Sequence, residues 1–225
     1  MDNFWIIGGG KFGLRAAQVL RKINSTNIIT IVEKQKAVCR QLAHLGFEGV
    51  CTDGVKYLKQ HLKSRNESDW IIPAIPLHVA FEWIRAKMSA RHRIKDINIP
   101  TDLVSVLPNP IPGETGQLFI SIADFKCPPN CSEPDDICTY TGKSRPMILH
   151  EFLKSIQFKD FASVVIRSHQ LAPGVGGYRP AALFDAFSQI RDMQAPVLLS
   201  TACSCHGVMN AFSLKPIQAF RKINH

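Results

Sequence analysis

No run of roughly 18 consecutive apolar residues occurs in the 225-residue chain, which excludes a membrane-spanning helix as a sequence expectation. The N-terminus runs straight into the strand-like FWII and lacks the basic, apolar and small-residue zones of a secretory signal. A cytoplasmic location is therefore expected, and with it cysteines that are mostly reduced thiols. The chain also lacks a G-x-S-x-G elbow, a zincin motif and a Walker sequence, so it shows none of the hydrolase or P-loop signatures. No aromatic-interleaved or finger-type pattern supports a nucleic-acid partner.

Basic residues, by contrast, are plentiful. The net charge is +9, and 45% of the residues are hydrophobic, enough for a sizeable core. Residues 1–100 hold 16 Lys and Arg against 8 Asp and Glu, whereas residues 101–225 hold 11 against 10. The densest basic run, RAKMSARHRIK from Arg85 to Lys95, reads as a solvated helix face with its exit loop. Attraction of an anionic ligand is its sharper alternative.

The first chemical motif is WIIGGGKFGLRAAQVL, residues 5–20. A short apolar strand leads into Gly8, Gly9, Gly10, Lys11, Phe12 and Gly13, which fill G-x-G-x-x-G. In this pattern Gly8 permits a tight turn, Gly10 lets phosphates approach the backbone and Gly13 lets helix and strand pack closely. The helix that follows aims its positive N-terminus at the pyrophosphate position. The glycines alone are weak evidence, but a second strand, IITIVE, ends in Glu33, 20 residues beyond Gly13. That is where a carboxylate accepting hydrogen bonds from an adenosine ribose is expected. Glu33 would repel a 2′-phosphate, favouring NAD over NADP, although Lys34 and Lys36 soften the argument. Alternating helices and strands continue through KAVCRQLAHLG, FEGVC, the helix after Asp53 and Gly54, and DWIIPAIPLHVAFEWIRAK. The fold class this implies is α/β, a doubly wound, Rossmann-like parallel sheet followed by a cysteine-rich C-terminal half.

Residues 4–87 resemble the N-terminal nucleotide-binding domain of the TrkA/RCK type, which regulates potassium transporters and channels. IIGGGKFG, Glu33, VCTDG and DWIIPAIP carry the resemblance. It implies a dinucleotide-binding fold in which Asp53 lies near the adenosine, with Thr52 standing where the family usually has glycine. Nothing beyond residue 100 resembles that family's usual ligand-sensing domain.

The second half carries strand-like TDLVSVL, GQLFISIADF, SVVIRS and PVLLSTACSCHG, and an amphipathic helix in ALFDAFSQIRD. These elements either extend the first sheet or form a second lobe, giving expected segments 1–100 and 101–225. Cys127, Cys131 and Cys138 lie within 12 residues of a Pro- and Asp-rich loop that also holds Glu133, Asp135 and Asp136. Cys203, Cys205 and His206 follow a strand. Three thiolates from the first loop and one ligand from the second would complete a Zn2+ site or hold an iron–sulfur cluster. A redox or nucleophilic thiol site and unbound structural cysteines are the alternatives. Cys39 and Cys51 read as small buried hydrophobes. Around the loop LAPGVGGYRP, with Gly174, Gly176 and Gly177, the candidates for catalysis are His169 or Tyr178 as acid or base and Arg179 as anion binder. His78 and His150 are expected on helix faces without chemistry. The leading expectation is an NAD(P)-dependent oxidoreductase with a thiolate-ligated centre. The alternative is a nucleotide-responsive regulatory protein with a structural metal, and homo-oligomer formation stays open.

Overall fold

The computed structural model describes residues 1–65, 68–133 and 136–217, so Asp135 lies outside the described residues. Four strands, β1 (Asn3–Ile7), β2 (Ile28–Glu33), β3 (Gly49–Cys51) and β4 (Trp70–Pro73), form a parallel sheet in the order β3-β2-β1-β4. Helices α1 (Lys11–Ile23), α2 (Lys36–His44), α3 (Gly54–His61) and α4 (Val79–Met88) connect or follow them. Phe4 to Ile7 are all buried, as a central parallel strand covered on both faces requires. In α1 the buried residues are Gly13, Ala16, Ala17 and Leu20, an i, i+3, i+4, i+7 stripe of mostly small side chains that lets the helix lie close on the sheet. These elements match the expected α/β pattern with its parallel sheet.

The second half builds its own sheet. It contains β5 (His92–Ile97), β6 (Ile111–Pro112), β7 (Leu118–Ser121), β8 (Ala162–Arg167), β11 (Val197–Ala202) and β12 (His206–Pro216). Among the described residues of this sheet, only β8 and β11 pair in parallel; β12 runs antiparallel to β11, β7 and β5. β5 falls within the first expected segment yet pairs in this second sheet. The basic stretch 85–95 thus runs from the end of α4 into a strand, not into an exit loop. Thr101–Val104, expected as strand, forms the short helix α5, which starts after Pro100. Helices α6 (Leu149–Ser155) and α7 (Pro180–Ile190) complete the lobe.

A hairpin of β9 (His169–Ala172) and β10 (Val175–Gly177) joins the halves, because the next residue, Tyr178, exchanges backbone bonds of 3.0 and 2.9 Å with Ile71 of β4. The layers share one core. Trp5 and Ile7 of the first sheet, Trp83 and Ile84 of α4, Leu183 and Ile190 of α7, and Val197, Leu199 and Phe212 of the second sheet belong to one buried cluster. On the far face of the second sheet, Leu198, Ala202 and Met209 pack on Leu149 and Leu153 of α6. β11 is therefore buried on both faces, alternating its side chains between two cores. Among the described residues, no helix is long and apolar enough to cross a membrane.

Cys39 and Cys51 are not buried thiols, as expected from sequence, but a disulfide with Cα atoms 6.0 Å apart. The bond ties α2 to the end of β3, two elements that share the edge of the first sheet.

Candidate functional site

The glycine turn follows β1. Gly8 adopts φ +111°, and a Cβ there would meet the Ala74 carbonyl oxygen at 2.7 Å. A Cβ on Gly13 would stand 1.8 Å from the Gly8 carbonyl oxygen, so α1 can approach the turn only through glycine. Gly10 is the N-cap of α1, and a Cβ there would meet nothing within 4 Å. Open space thus lies where a phosphate would approach the first amides of the helix. Lys11 and Phe12 project from this first turn, and Phe12 is 69% exposed.

Glu33 is buried beside the turn. Its carboxylate accepts from the Gly9 amide at 2.8 Å and the Gln35 amide at 2.7 Å. The side chain therefore holds the turn in shape while keeping acceptor capacity, since a carboxylate can take about four hydrogen bonds. Asp53 caps α3, accepting from the Lys56 amide at 2.9 Å. Both acids stand at the C-terminal ends of neighbouring strands, where open α/β sheets bind ligands.

The two cysteine clusters converge. Cys127, Cys131, Cys138, Cys203, Cys205 and His206 all line one cavity of about 380 Å³. Phe12 and Arg15 of α1 line it as well, one helical turn apart on the same face. Three connections hold the walls together. The Cys131 carbonyl accepts from Gly174 N at 3.0 Å and from Gln170 Nε2 at 2.8 Å. The Glu133 carboxylate accepts from the Ser204 amide, linking the first cysteine loop to the second. Gly174, at φ +72°, leaves room for the Pro129 carbonyl, which a Cβ would approach to 1.8 Å.

Residues Cys203 to Cys205 form the tight loop between β11 and β12, closed by Cys203 N donating to the His206 carbonyl at 2.9 Å. The Cys203 sulfur accepts from the amides of Cys205 at 3.5 Å and His206 at 3.3 Å. Cys127 Sγ lies 3.5 Å from His206 Nε2, bridging the two clusters. Burial is the main cause that raises the pKa of Cys127 and Cys203, and it pushes the Cys205 thiol up to about 11. Cys138 is lowered instead, chiefly by hydrogen bonds from Thr141, with a smaller contribution from the Arg145 charge. The thiols of one cavity are thus shifted in opposite directions, Cys138 downward and Cys127, Cys203 and Cys205 upward. Among the described residues, no three His, Cys, Asp or Glu side chains gather closely enough to hold a metal ion as the chain stands.

The other expected catalytic residues lie elsewhere. Tyr178 is fully buried, its hydroxyl has no hydrogen-bond partner among the described residues, and burial raises its pKa, which removes it as an accessible acid or base. His169 and Arg179 pack on Trp70, with ring centroids 5.6 Å apart and the guanidinium 4.3 Å above the indole. Neither lines the thiol cavity, although Gly174 and Gly176 of the same loop do. His150 is half-buried on α6. His78, expected on a helix face, stands at the N-cap of α4 and is buried, with Nδ1 2.8 Å from Asn210 Oδ1 and Nε2 2.8 Å from Thr201 Oγ1. The sequence reading missed Arg15 and Arg145, which also line the cavity. Arg15 was legible in principle, three residues after Phe12 on one helix face, whereas Arg145 sits in irregular chain and carries no pattern.

A family model for the TrkA-N domain matches residues 4–98, so this segment is a TrkA-N, Rossmann-like nucleotide-binding domain. A second model, described as "Uncharacterized protein, C-terminal domain", matches residues 80–215. A protein of Archaeoglobus fulgidus described as "Uncharacterized protein" is 29% identical over 221 residues, covering 92% of this chain and 97% of that relative. No solved structure matches the chain. The second model spans more than half of the length, and the chain belongs to the family it describes, "Uncharacterized protein, C-terminal domain", joined here to a TrkA-N domain.

Proposed function

We propose that the protein is an NAD(H)-binding oxidoreductase whose dinucleotide turn opens onto a thiolate-held inorganic centre. One observation carries this reading: Phe12 and Arg15, on the helix that starts at the glycine turn, line the same cavity as the five free cysteines and His206. The donor set fits a soft metal or an iron–sulfur cluster, since five thiols and an imidazole reach one space from two loops. Cys127, Cys131 and Cys138 would hold the centre together with one of Cys203, Cys205 or His206. The ligands are not preassembled, so binding would draw the two loops together and deprotonate the buried thiols. A cluster would supply one-electron exchange, and zinc with an open position would supply a Lewis acid. Gly8, Gly10, Lys11, Phe12 and Gly13 would bind the pyrophosphate. Glu33 and Asp53 would face the adenosine end, and Glu33 favours NAD over NADP.

Anaerobic purification followed by metal and sulfide analysis and an absorption spectrum tests the reading. Iron with sulfide and broad visible absorption support redox work, and Cys127→Ser, Cys131→Ser and Cys138→Ser should each lose that centre. Undiminished metal in all three variants, or no metal in the wild type, would remove the inorganic role. A colourless protein with one tightly held zinc would instead favour a nucleotide-responsive regulatory protein with a structural staple. The TrkA-N match is the observation that favours this second reading.

A further inference from the structure

We infer that the thiol cavity is also a receptor for a small oxyanion, a carboxylate or phosphoryl group of a separate ligand, gripped by Arg15 and Arg145. The inference rests on the reading of that cavity as the working site, and it names the class of molecule the site takes. Among the described residues, Arg15 Nε and Arg145 Nε and Nη1 are buried with no hydrogen-bond partner, although both side chains line the cavity. A buried donor left unpaired costs roughly 1–3 kcal/mol, and more when charged, so these atoms lack their natural acceptor. Among the described residues, no acid on the cavity wall supplies it. The Glu133 carboxylate is engaged by the Ser204 amide, and neither arginine is in an ion pair among the described residues. Lys143 adds a further positive charge on the lining.

The chemistry of guanidinium narrows the ligand. Its planar fork matches the two oxygens of a carboxylate or phosphoryl group and presents donors that a metal ion cannot use. The cavity, at about 380 Å³, falls within the range of small-molecule sites and exceeds what one metal ion would occupy. Arg15 belongs to the N-terminal half and Arg145 to the C-terminal half, so an anion between them would bridge the glycine-turn helix and the cysteine loop.

Calorimetric titration of the full chain with inorganic phosphate and with malonate tests this. Wild type should bind one equivalent of at least one probe, and Arg15→Gln and Arg145→Gln should each weaken it tenfold or more. Without probe, Arg145→Gln should melt no lower than wild type, because the variant removes unpaired buried donors; a purely structural arginine would lower the melting temperature. Failure of both probes to bind wild type, or unchanged affinity in both variants, overturns the inference. So does displacement of the probe by NAD together with an equal loss of NAD affinity in Arg15→Gln, since the anion would then be the dinucleotide's own phosphate. Loss of bound metal in Arg145→Gln would show that the guanidinium steadies the thiolates of the inorganic centre rather than a separate anion, and likewise overturns the inference. Metal content measured on the same samples separates these failures from failure of the oxidoreductase reading.

Discussion

A Cβ on Gly10 would meet no atom within 4 Å, whereas one on Gly13 would stand 1.8 Å from the Gly8 carbonyl oxygen. The same motif therefore separates binding from folding. Gly10→Val should keep the melting temperature near that of wild type and abolish calorimetric binding of NAD(H), because only a ligand would contest that space. Gly13→Ala should destabilise the fold by about 3 kcal/mol, as overpacking against backbone does, and denaturant unfolding measures it. His78 offers a second test at this scale. Burial lowers its pKa from 6.5 to about 4, so the folded chain refuses a proton that the unfolded chain accepts. Stability is then complete above pH 6.5 and falls as pH drops from 6.5 towards 4. The loss attributable to His78 is about 3 kcal/mol. In His78→Gln the deficit relative to wild type should shrink between pH 7.5 and pH 4 in denaturant titrations. A constant deficit would show that His78 is not the group responsible.

Where elements were legible in the sequence, apolar runs and glycine punctuation agreed. The β1–α1–β2 unit shows this well, because four successive buried residues, a glycine turn and an i, i+3, i+4, i+7 stripe occur together. TDLVSVL misled for a physical reason: a short apolar run reads equally as strand or as one helical turn, and the helix-starting Pro100 precedes it. Reach and the strand-end placement of the second cluster led to the expectation of one shared centre; Cys127, Cys131, Cys138, Cys203 and Cys205 line one cavity, without a metal-holding group among the described residues. The Cys39–Cys51 disulfide was not anticipated, because a helix position and a strand end 12 residues apart reveal no contact until the sheet edge brings them together. At the scale of elements this bond fastens α2 to β3, whose three residues make it the shortest strand of the first sheet. Closing a loop of this size contributes about 3 kcal/mol. Cys51→Ala should lower stability by about that amount and should leave metal content unchanged, as unfolding curves and metal analysis on the same preparation would show.

Across the whole molecule, the two family matches overlap at residues 80–98, the stretch holding most of α4 and all of β5. That overlap has a structural counterpart. Trp83 and Ile84 of α4 lie in the cluster shared by both sheets, and β5 belongs to the second sheet alone. During synthesis the first sheet has all its strands once Pro73 has emerged, but β5 must wait for β12. Ile97 pairs with Ala211, so more than a hundred residues separate the partners. At typical elongation rates that is a wait of roughly 5 to 20 seconds with an unpaired strand edge. Arg93 and Lys95 stand exposed on that strand, and cations on a waiting edge deter pairing with other chains. The basic run, read from the sequence with an anion-binding face as its sharper alternative, would on this argument also shield a nascent strand. Replacing Arg93 and Lys95 with threonine should leave the final melting temperature nearly unchanged while increasing the light scattered during refolding, and equal scattering would return those charges to the surface they seemed to decorate.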